Sequence, residues 1–206
     1  PHGSYEGEIR IDGQVARFGS ARDAEAAGIA VIHQELALFP GMSVAENLLL
    51  GQLPTRLGLV DPMALLVRAR QLLEDVGLRI DPSLPLGELG VAQQQLVEIA
   101  RSLARRPRIL VLDEPTAALS SQEVDTLLAL VRRLRAQGVA CIYISHKLDE
   151  VFAIADRITV LRDGTAQGTL AARETRPAAL IALMVGRPLG DLYPRRQGRR
   201  GAALLE

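Results

Sequence analysis

The pattern of apolar and polar positions along the chain predicts an α/β protein. Residues 109–112 and 139–144 are apolar runs that predict strands, and the first is typical of a strand buried on both faces in a parallel sheet covered by helices. Between them, apolar residues at helical spacing predict an amphipathic helix, and Ser120 with Glu123 predicts a capping box at its start. The apolar stripe of this helix contains Val124, Leu127, Leu128, Val131 and Leu134. Strand, helix and strand in this order predict a parallel crossover that returns to the same sheet.

The residues before and after these two strands show other patterns of apolar and polar positions. Residues 8–32 are typical of short strands, with an antiparallel pair at the start. Residues 42–104 are mainly helical, and the Asp-Pro pair at 61–62 is typical of an N-cap followed by the first residue of a helix. Near the other end, an Asp-Gly turn predicts a hairpin between residues 158–161 and 165–170.

Candidate chemistry lies where the two apolar runs end. Asp113 and Glu114 follow the first run directly, and His146 follows the second. Because the carboxyl ends of neighbouring parallel strands meet at one edge of a sheet, these side chains can share a ligand there. In a phosphate-handling enzyme, Asp113 would hold Mg²⁺, and Glu114 would orient or deprotonate the attacking water. The alternative is an exposed acidic turn beside a structural histidine.

Composition narrows the class of protein. With 206 residues, 48% of them hydrophobic and 23% charged, the chain can form one large domain or a domain with a subdomain. The net charge of zero and the 3% aromatic content give no support to nucleic-acid binding. The single cysteine, Cys141, lies within an apolar run and is interpreted as a core residue in a reducing compartment.

Several ordered motifs give a family resemblance. The motifs are Val31-Ile32-His33-Gln34-Glu35, similar to a Q-loop; Leu89-Gly90-Val91-Ala92-Gln93-Gln94-Gln95, at the place of a signature motif; Asp113-Glu114-Pro115, similar to Walker B; residues 117–120, similar to a D-loop; and His146, similar to a switch histidine. In this order they resemble the nucleotide-binding domain of an ATP-binding-cassette (ABC) transporter. The segment from Met184 to Arg195 is similar to the linker of tandem sugar-importer ATPases, and the opening residues resemble the xylose-type branch.

The resemblance implies a fold and a domain organisation. The expected fold is a P-loop NTPase-like ABC ATPase core with a mostly parallel sheet, an antiparallel β rim and a helical subdomain, truncated at the N-terminus. The implied segments are a partial core with the β rim and Q-loop at 1–41, the helical subdomain with the signature motif at 42–104, the remaining core at 105–185, and a linker toward a second cassette at 186–206.

The resemblance also implies cofactors, roles and partners. ATP and Mg²⁺ are the expected ligands, with Gln34 and Asp113 at the metal, Glu114 as catalytic base and His146 at the γ-phosphate. The expected partners are permease membrane subunits, contacted through the Q-loop and the helical subdomain, a second cassette of the same polypeptide and, indirectly, a periplasmic sugar-binding protein. The expected location is the cytoplasmic face of a bacterial plasma membrane.

Two motifs depart from the family pattern. Gly90, Val91, Ala92 and Gln93 are implied to contact ATP held by the other cassette, yet Gly90 stands where the family usually has serine. Ser120, the implied nucleotide contact of the D-loop, stands where the family usually has aspartate. These departures predict a weaker site on the side of the signature motif.

A Walker A motif is missing from the sequence. Such a phosphate-binding loop needs glycines followed by Gly-Lys-Ser/Thr, whereas the only lysine is Lys147, which no glycine-rich run precedes. We therefore expect the parent protein to be an ATPase of a sugar importer and this chain alone to be unable to hydrolyse ATP. A non-transport ABC-type ATPase and a catalytically silent interaction module are the alternatives.

Overall fold

The computed structural model describes residues 7–33 and 36–186. They belong to two compact units, which divide between Ile154 and Ala155. In chain order, the larger unit contains β1 (Ile9–Ile11), β2 (Gln14–Ala16), α1 (Ala21–Ala26), β3 (Ile29–Ile32), α2 (Val44–Leu48), β4 (Thr55–Arg56), β5 (Leu59–Val60), α3 (Pro62–Asp75), a 3-10 turn (Leu86–Glu88), α4 (Val91–Ala104), β6 (Ile109–Asp113), α5 (Ser121–Ala136), β7 (Ala140–Ile144) and α6 (Leu148–Ile154). The smaller unit contains β8 (Arg157–Arg162), β9 (Thr165–Ala171), a 3-10 turn (Ala172–Glu174) and α7 (Pro177–Val185).

The centre of the larger unit is a parallel sheet with the strand order β3, β6, β7. Its register pairs Ile32 with Leu112 on one side of β6 and Asp113 with Ile144 on the other. Antiparallel pairs β1–β2 and β4–β5 lie outside this sheet. The predicted α/β class, with a parallel sheet and antiparallel strands beside it, is confirmed.

One face of the parallel sheet forms the core. Leu110 and Leu112 of β6 are fully buried and belong to one cluster with apolar side chains of α2, α3, α4 and α5. On β7, Ile142 and Ile144 are 52% and 46% exposed, because no described helix covers them. Burial on both faces, expected for residues 109–112, is met only in part, because Ile109 and Val111 on the second face of β6 are half-buried. Cys141 is only half-buried, although it packs against the core cluster.

The helices begin and end close to the positions that the sequence predicts. Asp61 is the N-cap of α3, and its carboxylate accepts the backbone N–H groups of Met63 and Ala64 at 3.1 Å each. In α5 the predicted stripe is buried apart from the half-buried Val124, and Leu130 joins it. The helices α2, α3 and α4 pack against one another, as expected for a helical region at 42–104.

The smaller unit is a hairpin followed by a helix. The strands β8 and β9 pair around Asp163 and Gly164, which have φ of 53° and 74° and so match the predicted Asp-Gly turn. Leu180 of α7 is buried within this unit. The predicted linker beyond residue 186 lies outside the described residues, and the division of the chain at 41, 104 and 185 stays a prediction. None of the described helices has the length and apolarity needed to cross a membrane.

Candidate active site at the ends of β6 and β7

The site begins with two carboxylates at the end of β6. Asp113 is the last residue of the strand, and within the described residues its carboxylate has no hydrogen-bond partner. Glu114 has a φ of 45°, a left-handed conformation that is uncommon outside glycine and that concentrates at functional sites. Its backbone N–H donates to the Ile144 carbonyl at 3.0 Å, which ties this turn to the end of β7.

The imidazole of His146 meets the second carboxylate. His146 Nδ1 lies 2.9 Å from Glu114 Oε1, so the parallel topology brings the two residues together as the sequence predicts. The His146 side chain is 67% exposed and that of Glu114 is 32% exposed, so both remain open to a ligand. Their catalytic roles stay predictions.

Behind this pair lies a buried polar network that the sequence reasoning missed. Glu150 of α6 is 6% exposed, and its Oε2 accepts the hydroxyls of Thr116 and Tyr143, each at 2.8 Å. Lys147 Nζ lies 3.4 Å from Glu150 Oε1 and donates to the Thr116 carbonyl at 3.0 Å. The hint in the sequence was that Lys147, the single lysine, follows His146 directly.

These contacts set the ionisation of the network. Burial alone would raise the pKa of Glu150, but hydrogen bonds from Tyr143 and Thr116 and the charge of Lys147 outweigh burial and lower the pKa below its usual value. Burial and the neighbouring Glu150 carboxylate raise the pKa of Tyr143 far above its usual range. Glu150 is therefore a charged carboxylate surrounded by neutral hydroxyls and one ammonium group.

The signature residues lie at the start of α4, which is exposed. Gly90 is the N-cap of this helix, and its N–H donates to Gln93 Oε1 at 3.3 Å. Val91 is 56% exposed, and a Cβ added at Gly90 would meet no atom within 4 Å. Ala92 lies in the same first turn. The N-terminus of α4 thus offers backbone N–H groups on an open surface, the feature that binds anions at helix ends.

The D-loop serine has a structural role. Ser120 is the N-cap of α5, and Glu123 Oε2 accepts both its backbone N–H at 2.8 Å and its hydroxyl at 2.7 Å. The hydroxyl bond and then the backbone bond lower the pKa of Glu123. In this arrangement the Ser120 hydroxyl is engaged within its own helix cap, so its predicted contact with nucleotide stays untested.

Gln34 lies outside the described residues, but the segment that follows it is held by α4. Arg101 donates to the Ala37 carbonyl at 2.6 Å, and the Ala37 N–H donates to Glu98 Oε1 at 3.4 Å. Glu98 is 2% exposed, and burial raises its pKa despite these contacts. Its Oε2 has no hydrogen-bond partner within the described residues.

The residues at the strand ends fit a magnesium nucleotide in the chemistry of their donors. Mg²⁺ is usually held by one or two carboxylates together with water and substrate phosphates, and does not need a cage of protein ligands. Asp113, whose carboxylate has no hydrogen-bond partner among residues 7–33 and 36–186, suits this mode. The described part of the chain contains no group of three or more His, Cys, Asp or Glu that could hold a metal ion by itself.

In open parallel α/β sheets, ligands bind beyond the carboxyl ends of the strands, which is where Asp113, Glu114 and His146 lie. Comparison with known protein families identifies the family to which this protein belongs. The sequence profile of the family described as ABC transporter matches residues 2–117, more than half of the chain. The protein belongs to the ABC transporter family.

Individual relatives agree with this assignment. The chain is 52% identical over 206 residues to the xylose import ATP-binding protein XylG of Moorella thermoacetica, and it spans 41% of that protein's length. It is 47% identical over 206 residues to the ribose import ATP-binding protein RbsA of Chromobacterium violaceum, again spanning 41% of the relative. Among solved structures, it is similar to the dimeric, post-hydrolysis ATP-binding cassette MJ0796 bound to ADP and Pi, with a TM-score of 0.69, 25% identity, and coverage of 82% of this chain and 75% of that one.

Proposed function

We propose that the protein is the ATP-hydrolysing part of a bacterial sugar importer and couples ATP hydrolysis to carbohydrate uptake. The observation that carries the proposal is the 2.9 Å contact between Glu114 and His146 at the ends of neighbouring parallel strands. The xylose and ribose importers among the relatives support the sugar class, although which sugar is transported is chosen by other subunits.

Each residue at the strand ends has a separate role in ATP hydrolysis. Asp113 and Gln34 would hold Mg²⁺, which would supply charge stabilisation at the phosphates when it is bound. Glu114 takes a proton from the attacking water, and His146 forms a hydrogen bond with the γ-phosphate. The unusual φ of Glu114 and its hydrogen bond to Ile144 hold the carboxylate near the imidazole, as a preorganised base requires.

A second cassette completes the arrangement. The N-terminus of α4, with Gly90, Val91, Ala92 and Gln93, covers ATP held by the other cassette, and Ser120 lies at the contact between the two. Because Gly90 lacks a hydroxyl, the site completed by this signature is the weaker one, whereas the half that holds Glu114 and His146 is competent. Permease subunits contact the Q-loop and the helical region, a periplasmic binding protein delivers the sugar, and the protein works at the cytoplasmic face of the membrane.

The chain by itself binds ATP too weakly to hydrolyse it. No glycine-rich loop ending in Gly-Lys-Ser/Thr is present in the sequence, and the one lysine, Lys147, is engaged with Thr116 and Glu150. We expect millimolar Mg²⁺-ATP to leave the melting temperature of the isolated chain unchanged. A clear upward shift would contradict this part of the proposal, because a ligand that binds only the folded state raises its stability.

The substitution Glu114→Gln tests the main proposal. It is made in the intact protein, in which this chain is joined to the second cassette, and the protein is assembled with its membrane partners. The change keeps the size of the side chain and removes the base, so ATP turnover should fall by about 100-fold or more while ATP binding persists. Glu174→Gln, an exposed change in the 3-10 turn of the smaller unit, is the matched control and should leave turnover unaltered. Unchanged turnover in Glu114→Gln, with turnover abolished by a change in the partner cassette, would overturn both the role of Glu114 and the proposed asymmetry.

A further inference from the structure

The buried network around Glu150 joins the two loops that carry the catalytic pair. Thr116, which donates to Glu150 Oε2 at 2.8 Å, follows Glu114 by two residues. Tyr143, which donates to the same oxygen at 2.8 Å, precedes His146 by three residues. A single carboxylate oxygen therefore accepts one hydrogen bond from each of the two strand ends.

Lys147 forms a second bridge between the same loops. Its side chain starts directly beside His146, yet its Nζ donates to the Thr116 carbonyl at 3.0 Å and lies 3.3 Å from the Thr116 hydroxyl. The same Nζ lies 3.4 Å from Glu150 Oε1. On the backbone, the Lys147 N–H donates to the Ser145 hydroxyl at 3.0 Å, and that hydroxyl in turn lies 3.5 Å from Glu150 Oε2. The loop of His146 is thus fixed on both sides of the imidazole.

Stability alone does not account for such a network. A buried carboxylate loses its hydration, and apolar residues of similar volume often stabilise a fold as well as a buried ion pair does. What the network adds is a defined geometry: several directional hydrogen bonds that converge on Glu150 and span the gap between β6 and β7. The roles given above to Asp113, Glu114 and His146 make no use of Glu150.

We propose that Glu150 is a positioning residue: by accepting Thr116 and Tyr143 and pairing with Lys147, it holds His146 at hydrogen-bond distance from Glu114. The proposal rests on the proposed function, because it takes Glu114 and His146 to be the pair that serves ATP hydrolysis. It assigns no contact between Glu150 and nucleotide. A displacement of about 1 Å at a reacting group can cost about 100-fold in rate, so loss of this support should reduce the rate of the chemical step more than the binding of ATP.

Three variants of the intact protein test the proposal. Glu150→Gln keeps the volume and one acceptor oxygen but removes the charge that faces Lys147, and Glu150→Ala removes both acceptors. Asp149→Asn, the exposed neighbour on the same turn of α6, is the matched control. Lys147→Met perturbs the network from its exposed side and is used if Glu150→Ala does not fold.

The first readout needs no ATP. In protein labelled with ¹⁵N-histidine, with resonances assigned through His146→Gln, the two ring nitrogens of His146 should show one preferred tautomer, set by the Nδ1 contact with Glu114. Glu150→Ala and Lys147→Met should shift these resonances toward a mixture of tautomers, and Asp149→Asn should leave them in place. Wild-type resonances in a folded Glu150→Ala or Lys147→Met variant would overturn the proposal.

The second readout is steady-state ATP hydrolysis by the protein assembled with its partners. We expect kcat to fall about 5- to 10-fold in Glu150→Gln and about 10- to 100-fold in Glu150→Ala, with KM for ATP changed less than about threefold. A purely structural role would lower the melting temperature and leave kcat per folded molecule unchanged, which also overturns the proposal. If the wild-type protein itself does not hydrolyse ATP, the proposed function fails, while the histidine resonances still decide whether Glu150 positions His146.

Discussion

Gly90→Ser would give the start of α4 the residue that the family usually has there, and the local geometry accepts it. Gly90 has φ of −63° and ψ of 155°, an extended conformation open to any residue, and an added Cβ meets no atom within 4 Å. Its N–H already bonds Gln93 Oε1 at 3.3 Å. A serine hydroxyl could accept the Gln93 backbone N–H in return, which would complete a capping box.

The expected magnitudes differ for stability and for catalysis. Replacing glycine by serine at an N-cap gains a few tenths of a kcal/mol, and loss of glycine's freedom in the unfolded chain adds about 0.4–1 kcal/mol. The total of about 1 kcal/mol should raise the melting temperature by about 2–4 °C in a chain of this size. A hydrogen bond from the new hydroxyl to a phosphate is worth about 1.5–3 kcal/mol, or roughly 10- to 100-fold at the ATP site that this signature completes.

Thermal unfolding of this chain and ATP turnover of the intact protein measure the two effects separately. Gly41→Ser is the matched control, because Gly41 is also exposed and has no atom within 4 Å of an added Cβ, yet the change adds no hydroxyl at the N-cap of α4. The control should share the effect on the unfolded chain and leave turnover unaltered. A lower melting temperature in Gly90→Ser would refute the geometric reasoning, and a raised melting temperature without any gain in turnover would refute the assignment of α4 as the phosphate-facing helix.

Two further predictions concern the core. Because burial raises the pKa of Glu98, its carboxyl group binds a proton more tightly in the folded state than in the unfolded chain. The free energy of unfolding should therefore fall as the pH rises from about 4.3, the pKa of glutamate in an unfolded chain, through the higher pKa of Glu98 in the folded state. Glu98→Gln should then raise the melting temperature at pH 7 to 8, and this gain should shrink toward pH 4.5. The exposed change Glu74→Gln should leave the melting temperature unchanged at both pH values. Leu112→Ala, at a fully buried position, should reduce the free energy of unfolding by about 2–5 kcal/mol, and Ile142→Ala, at a 52% exposed position, by about 1 kcal/mol or less. Denaturant unfolding of both alanine variants checks this, and similar losses would show that Ile142 is covered in the intact protein by residues outside the described ones.

The sequence predicted the features that depend on local pattern and on the parallel crossover. The strands β6 and β7, the helix α5 with its stripe and the Asp-Gly hairpin follow from periodicity and turn residues alone. The contact between Glu114 and His146 follows from one further step, since neighbouring parallel strands place their carboxyl ends together. The exposed face of β7 could not be foreseen, because an apolar run shows that a strand can be covered and does not show which element covers it.

The network around Glu150 could not be predicted for a different reason. In the sequence, Thr116 and Glu150 are 34 residues apart, and Glu150 stands beside Asp149, an exposed acid of the same first turn of α6. Nothing in the residue types distinguishes the two acids; the distinction arises only when α6 folds back and buries one of them against Thr116 and Tyr143. A motif search therefore finds the groups that touch the substrate, whereas the groups that hold them in place emerge from packing. For this reason Glu150→Gln and Asp149→Asn, similar changes one residue apart, should differ in their effects on turnover.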